Sequence, residues 1–377
     1  MNAPHRPALT DGCRHRPDDV RRRRLIAGLA IALTGLIGAS VATGYAAFDV
    51  FGAAGDLLAS RMTLPALVLW ELRLPRALLG ALVGFSLGLA GAVLQGYLRN
   101  PLADPGVLGI SAAAALGAVL VFYGGLAGAL SLALPFGGIA GAALAALALN
   151  VLATRGTGTL GLILAGVGLS SLSGALTALA LNLSPNPYAA LEIVFWLMGS
   201  LSDRGMNHVV LCLPLMALGW VLMLSTGRAL DALTLGEDTA VSLGHDLTSV
   251  RVRIVTGAAL AVGSGVAVSG AVGFVGLVVP HLVRPLVGQR PGASLLPSAL
   301  AGAVLVLAAD LAVRLVPTRP ELKLGVVTAL VGAPFLIGLL LRHRGRTRRA
   351  CRRTVSACAL AAARSSTASR WLCAPVR

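Results

Sequence analysis

Long apolar runs separated by short polar stretches fill most of the chain. They cover residues 25–47, 77–98, 107–130, 133–153, 160–182, 207–226, 252–271, 273–288, 295–316 and 324–341. About 20 consecutive apolar residues cross a bilayer as a helix, so the pattern predicts about ten membrane-spanning helices. The eighth run is short and fits a half-embedded helix. Lipid offers no water to backbone N–H and C=O groups, and none of the runs alternates polar and apolar positions as a barrel strand does. The fold class is therefore all-α and polytopic. The first run follows an arginine cluster, as a signal peptide would. It is too long for a typical signal sequence and more spans follow it, so it reads as a retained first helix. Residues 187–200, with Glu192 and Trp196, read as an interfacial helix outside the membrane.

Composition sharpens this picture. The 377 residues are 56% hydrophobic and only 12% charged, with a mean hydropathy of +0.83. An ordinary soluble domain carries about 25% charged residues, so a soluble enzyme and a disordered chain are excluded. Aromatics make up 4% while Gly numbers 46, a mix suited to helices whose backbones approach closely. The net charge of +16 is unevenly placed: residues 1–24 contribute +4, residues 342–377 contribute +10, and the long body between only +2. Two basic tails around a neutral apolar body read as cytoplasmic anchors, not as a folded nucleic-acid face. An even number of spans puts both tails on one side, and their arginines make that side the cytoplasm. The chain divides into a basic tail (1–24), a transmembrane body (25–343) and an Arg-rich, disordered tail (344–377). The cysteines, Cys13, Cys212, Cys351, Cys358 and Cys373, have no metal-site or haem spacing, and their odd number argues against a disulfide framework.

Charges near membrane depth are expensive and usually functional, and four polar clusters stand out. Arg73-Leu74-Pro75-Arg76 lies at the outer mouth of the second span. It is either a carboxylate-binding patch or a pair of snorkelling side chains. The cytoplasmic turn after that span contains Gln95, Asn100-Pro101 and Asp104-Pro105, whose prolines forbid a continuous helix. A polar insertion, residues 235–246, faces the cytoplasm, and Ala240, Val241, Leu243 and Gly244 permit a short helix there. Such a helix can dock a soluble partner; a solvated loop is the plainer reading. Finally, Gly270, Gly273 and Gly276 recur every third residue before Pro280-His281, suggesting close helix contact or a bend.

These motifs, taken together and in order, resemble the permeases for iron–siderophore, haem and cobalamin uptake, the membrane subunits of type II ABC importers. The matching residues are Arg73-Leu-Pro-Arg76, Gln95 and Asn100-Pro-Leu-Ala-Asp-Pro-Gly-Val-Leu-Gly-Ile-Ser111. In the second half they are Leu235-Gly-Glu237 through Leu243-Gly244, Gly273-Phe-Val-Gly-Leu-Val-Val-Pro-His281 with Arg284, Asp310 with Arg314, and Glu321 with Gly325 through Phe335. The resemblance runs from about residue 25 to 343. It implies a ten-helix subunit in a homodimer or heterodimer, in the bacterial plasma membrane, with no catalytic group, metal or cofactor of its own. Arg73, Arg76 and Arg314 match arginines that pair with glutamates of a periplasmic or lipoprotein substrate-binding protein. Residues 235–246, with Gly236, Glu237, Asp238, Ala240 and Gly244, match the helices that sit in a cleft of the cytoplasmic ATP-binding subunits. Thr159 and Leu160 match the cytoplasmic gate, where relatives often carry small hydroxyl residues at both places. Gln95, Asn100, Pro101, Gly273, Gly276, Pro280 and His281 belong to the structural motif. Lys323 stands where relatives usually have proline.

The implied function is ATP-driven uptake of an iron chelate, a ferric siderophore first, with haem and cobalamin as alternatives. The chain has no Gly-x-x-x-x-Gly-Lys-Ser/Thr phosphate loop, so nucleotide hydrolysis falls to a partner. Two rivals exist. Asp310, inside a span, would serve an ion- or proton-coupled transporter. Ser269 and His281 would serve an intramembrane hydrolase, although nothing in the sequence places them within reach of each other.

Overall fold

A computed structural model describes residues 17–44, 49–125, 132–153, 158–184, 186–316, 321–338 and 341. The expected disordered tail after residue 343, most of the N-terminal tail, and every cysteine but Cys212 lie outside the described residues. All regular structure among the described residues is helical. In order the helices are α1 (Pro17–Ala42), α2 (Val50–Leu58), α3 (Leu64–Val68), α4 (Leu74–Tyr97), α5 (Ile110–Tyr123), α6 (Ala133–Ala153), α7 (Gly158–Asn182) and α8 (Pro187–Leu197). There follow α9 (Met206–Leu224), α10 (Gly227–Leu233), α11 (Glu237–Ser242), α12 (Leu247–Ala258), α13 (Ser264–Ser269), α14 (Val275–Val283), α15 (Pro291–Leu315) and α16 (Leu324–Gly338). Residues to Ala329 form one compact unit and those from Leu330 a second.

Among the described residues seven helical stretches are long and apolar enough to cross a membrane: Asp19–Ala42, Leu64–Tyr97, Ala133–Leu152, Thr159–Asn182, Met206–Leu233, Leu247–Ser269 and Pro291–Leu315. Three shorter apolar helices, Ile110–Tyr123, Val275–Leu286 and Leu324–Gly338, occupy the third, eighth and tenth predicted positions, and Pro187–Leu197 lies at the expected interfacial helix.

The second span departs from expectation. The sequence suggests a start at residue 77, yet α3 runs through a π-helical turn, Leu69–Arg73, directly into α4. The wide turn accommodates Pro75, which lacks an N–H and sits in the first turn of α4. Arg73 and Arg76 are therefore carried inside a continuous helix and not at its mouth. The same device appears once more, in Ala259–Gly263 between α12 and α13.

α4 is the packing centre, buried along most of its length. It lies against α15 through small residues: a methyl group on Gly84 would come within 2.7 Å of the Ala303 Cα, and one on Gly88 would meet the Ser298 carbonyl. Gly91 abuts the backbone of Gly276 at the start of α14. Small residues thus let backbones touch where lipid provides no hydrophobic drive for association.

The glycine repeat is not a helix face. Ser200 N–H donates to the Ser269 carbonyl at 2.7 Å, and residues 270–274 then run without regular structure to the start of α14 beside Gly91. Gly270 takes φ +70°, against the Trp196 carbonyl, and a methyl group on Gly276 would come within 2.7 Å of Pro105 Cδ. Gly273 has open space and no unusual φ, so it makes neither the close contact nor the bend its spacing suggests. Phe274, at φ +67°, occupies the left-handed region that bulky residues rarely adopt, and there the chain turns into the half-length helix α14.

Candidate functional site: an arginine network and a tethered short helix

Taking the arginine-rich start of α1 as the inner end, the outer end of α1 closes on α4 and α15. A helix leaves its last four carbonyls without intrahelical donors. Here two arginines supply them. Arg73 Nη1 donates to the carbonyls of Val41 and Ala42, both at 3.0 Å. Arg314 Nη1 donates to those of Ser40 (2.8 Å) and Thr43 (3.2 Å), and Nη2 to the Ser40 hydroxyl.

Asp310 joins this cap to α4. It accepts from Arg76 Nε and Nη2 at 3.1 and 3.0 Å, and from Arg314 Nε at 2.9 Å and Nη2. Arg76 also reaches Glu321 Oε2 at 3.0 Å, and that oxygen accepts from Ser202 Oγ at 2.7 Å. The side chains of Arg314 and Asp310 are only 5% and 2% exposed, that of Arg76 14%. Every donor nitrogen of Arg314 is thus engaged within the chain. Arg76 is the one of the three with more open surface. Breaking so buried a pair leaves an uncompensated charge and costs about 3–5 kcal/mol.

Outside the network lies a cavity of about 790 Å³, lined among others by Arg73, Arg76, Arg314, Lys323, Asp203 and Glu321. Lys323 holds its ammonium 5.6 Å from the Phe195 ring centroid. The sequence indicated the arginines and Asp310; the α1 carbonyls and Ser202 it did not, because carbonyl acceptors leave no trace in side-chain pattern.

At the inner end the expected short helix exists as α11. Gly236, at φ +112°, precedes it, and Gly244, at φ +85°, follows it, both backbone conformations that favour glycine. Ala240 is fully buried and anchors the helix, while Leu235, Val241 and Leu243 are 56–68% exposed. Asp246 caps α12 by accepting from Thr248 and Ser249 N–H. Glu237 Oε1 accepts from Arg99 Nη2 at 2.8 Å and from Thr159 Oγ1 at 3.2 Å. One carboxylate therefore ties α11 to the turn after α4 and to the start of α7. Asp238 is exposed, and so is Leu160, next to Thr159.

The remaining motif residues build local structure. Pro280 has no N–H, so the carbonyl four residues back, Gly276, lacks its helical donor. Gln95 Nε2 donates to that carbonyl and to that of Leu277, both at 3.2 Å. Asn100 Oδ1 accepts from Leu102 N–H, with Pro101 between them, and Asp104 Oδ1 caps the 3-10 turn Pro105–Leu108 through Gly106 N–H. Burial pushes the Asp104 carboxyl up, against that hydrogen bond. His281 sits half-buried in the last turn of α14.

The rival readings meet obstacles here. Asp310 is held by the guanidiniums of Arg76 and Arg314. The Ser269 hydroxyl is buried and bonded to the Gly265 and Gly270 carbonyls, at 2.8 and 3.2 Å.

Comparison with known proteins gives a consistent result. A family model described as the FecCD transport family matches residues 26–342. The vitamin B12 import system permease protein BtuC of Vibrio cholerae is 42% identical over 279 residues, 73% of this chain and 83% of that protein. The Fe(3+) dicitrate transport system permease protein FecD of Escherichia coli is 41% identical over 293 residues, covering 74% and 86%. A solved metal-chelate-type ABC transporter, described in an inward-facing conformation, superposes with a TM-score of 0.74 at 30% identity. It covers 85% of this chain and 99% of its own.

Proposed function

The chain belongs to the FecCD transport family, and from that premise we propose that it is the permease subunit through which an ATP-driven importer moves a metal chelate into a bacterial cytoplasm. It works as a homodimer or heterodimer in the plasma membrane. A substrate-binding protein delivers cargo at the arginine end, and ATP-binding subunits act at the α11 end. The observation that carries this reading is α11 itself. It is a short helix set between two conformationally required glycines, with exposed apolar residues on it and a carboxylate tying it to α7. Force applied there by closing ATPase subunits reaches α7, where Thr159 and Leu160 form the gate. ATP shifts the access equilibrium only through contacts that differ between open and closed states, and the Glu237 bonds are such contacts. The permease makes no covalent chemistry; it alternates access for cargo.

Docking uses the arginine cluster. Lys323 and Arg76 line the cavity, Arg76 paired with Asp310 and Glu321 but more exposed than Arg314, and Arg73 and Arg314 hold α1. Charge complementarity there raises association rate and fixes register.

Cargo is a metal chelate; relatives named for vitamin B12 and for ferric dicitrate are similarly close. We take a ferric siderophore as the cargo of this chain. Uptake of radiolabelled ferric siderophore and of labelled cobalamin, by cells with and without the gene, tests it. Loss of ferric siderophore uptake alone is expected. Loss of cobalamin uptake alone would transfer the assignment, and loss of neither would reject both cargoes.

A further inference from the structure

The inner end of α1 has chemistry that the transport reading leaves unused. Arg21, Arg22, Arg23 and Arg24 fill the early turns of a 26-residue helix, where cations oppose the positive end of the helix dipole. Arg22 Nε donates to the Ala293 carbonyl at 3.1 Å, fixing this end of α1 on the first turn of α15. Arg290 stands at the N-cap position of α15 without a side-chain capping bond, and the 3-10 turn Arg284–Leu286 packs on α1. The Arg284 Nε and Nη2 atoms are buried and have no hydrogen-bond partner. Among the described residues none of these six arginines lies within ion-pair distance of a carboxylate. Asp231, the acid nearest this turn in the hydrogen-bond pattern, accepts from the Gly292 N–H at 2.8 Å and so answers the start of α15.

We propose that this patch is a binding site for the phosphate headgroup of an anionic phospholipid of the inner leaflet. Two observations choose lipid over another occupant. α1 is almost wholly exposed along its apolar length, so its inner end emerges beside acyl chains. The ends of three helices also meet here, Arg22 bonding to the Ala293 carbonyl and the Arg284–Leu286 turn packing on α1, so a phosphate can reach guanidiniums from more than one helix. Anionic headgroups bind basic pockets of this kind between helices on the cytoplasmic side, and planar guanidinium forks suit phosphate oxygens. The lipid then pins α1 to α14 and α15 at the inner end, as Arg73 and Arg314 pin it to α4 and α15 at the outer end.

The test uses the full chain in nanodiscs of phosphatidylcholine alone, of phosphatidylcholine with phosphatidylglycerol, and of phosphatidylcholine with inorganic phosphate added. Thermal midpoints and lipids retained in native mass spectrometry are read. Phosphatidylglycerol is expected to raise the midpoint by a few degrees and to remain bound. R284Q and the exposed double variant R23Q/R24Q should lose both effects, while R253Q, elsewhere on the inner face, keeps them. The double variant carries the test if R284Q fails to fold. An equal phosphatidylglycerol shift in R23Q/R24Q would overturn the proposal. So would a full shift from inorganic phosphate alone, or a folded R284Q that keeps the full lipid shift.

Discussion

Pro280 withholds an N–H from the Gly276 carbonyl, and Gln95, on a different helix, supplies one. This explains a glutamine at 1% exposure in an apolar span. Gln95→Leu should orphan that carbonyl and cost about 1–3 kcal/mol, visible as a lower thermal midpoint of the purified chain; an unchanged midpoint would show that the pair is dispensable. Asp310 is more demanding. Asp310→Asn leaves Arg76 and Arg314 without their shared charge and should destabilise by about 3–5 kcal/mol, whereas Glu321→Gln, more exposed, should cost clearly less. Equal losses would contradict the ranking. For docking, Arg76→Glu should slow association of the binding protein and flatten its salt dependence; identical association across a salt series would remove Arg76 from that surface. At this scale the sequence identified which residues matter and often not why. Arg73, Arg76 and Arg314 look like a free cationic patch because their acceptors are main-chain carbonyls of α1 and, for Arg76, two acids far away in sequence.

Among the elements, continuous apolar runs located each long apolar helix among the described residues, since lipid leaves the backbone no other choice. It misjudged starts and breaks. The π turn at Leu69–Arg73 lets a span run on through a Leu-Pro step that reads as a boundary, and the unwound residues 270–274 look helical because their residues are apolar. Both features depend on what neighbouring backbones accept. Gly91→Ala would drive a methyl group into the Gly276 backbone, so α4 and α14 should separate and the chain should lose thermal stability. A neutral result would mean that α14 is free to shift. For α11, a β-branched residue at Gly236 cannot hold φ +112° without strain. Gly236→Val should leave the ATPase subunits hydrolysing ATP while chelate uptake falls; uptake at the native rate would remove α11 from the coupling path.

At the scale of the molecule, two ends of the helical unit that runs to Ala329 carry different chemistry. The outer end holds a network of arginines and acids beside a cavity, and the inner end presents a short helix roped by Glu237 to α7. The chain carries no Gly-x-x-x-x-Gly-Lys-Ser/Thr loop, and in the proposed function the work enters from a partner. The most direct measurement is labelled chelate uptake by proteoliposomes containing the complete complex, with binding protein outside. Uptake should persist when a protonophore collapses the proton gradient and should stop when ATP is withheld from the lumen. Uptake that fails with the gradient and ignores ATP would contradict the account.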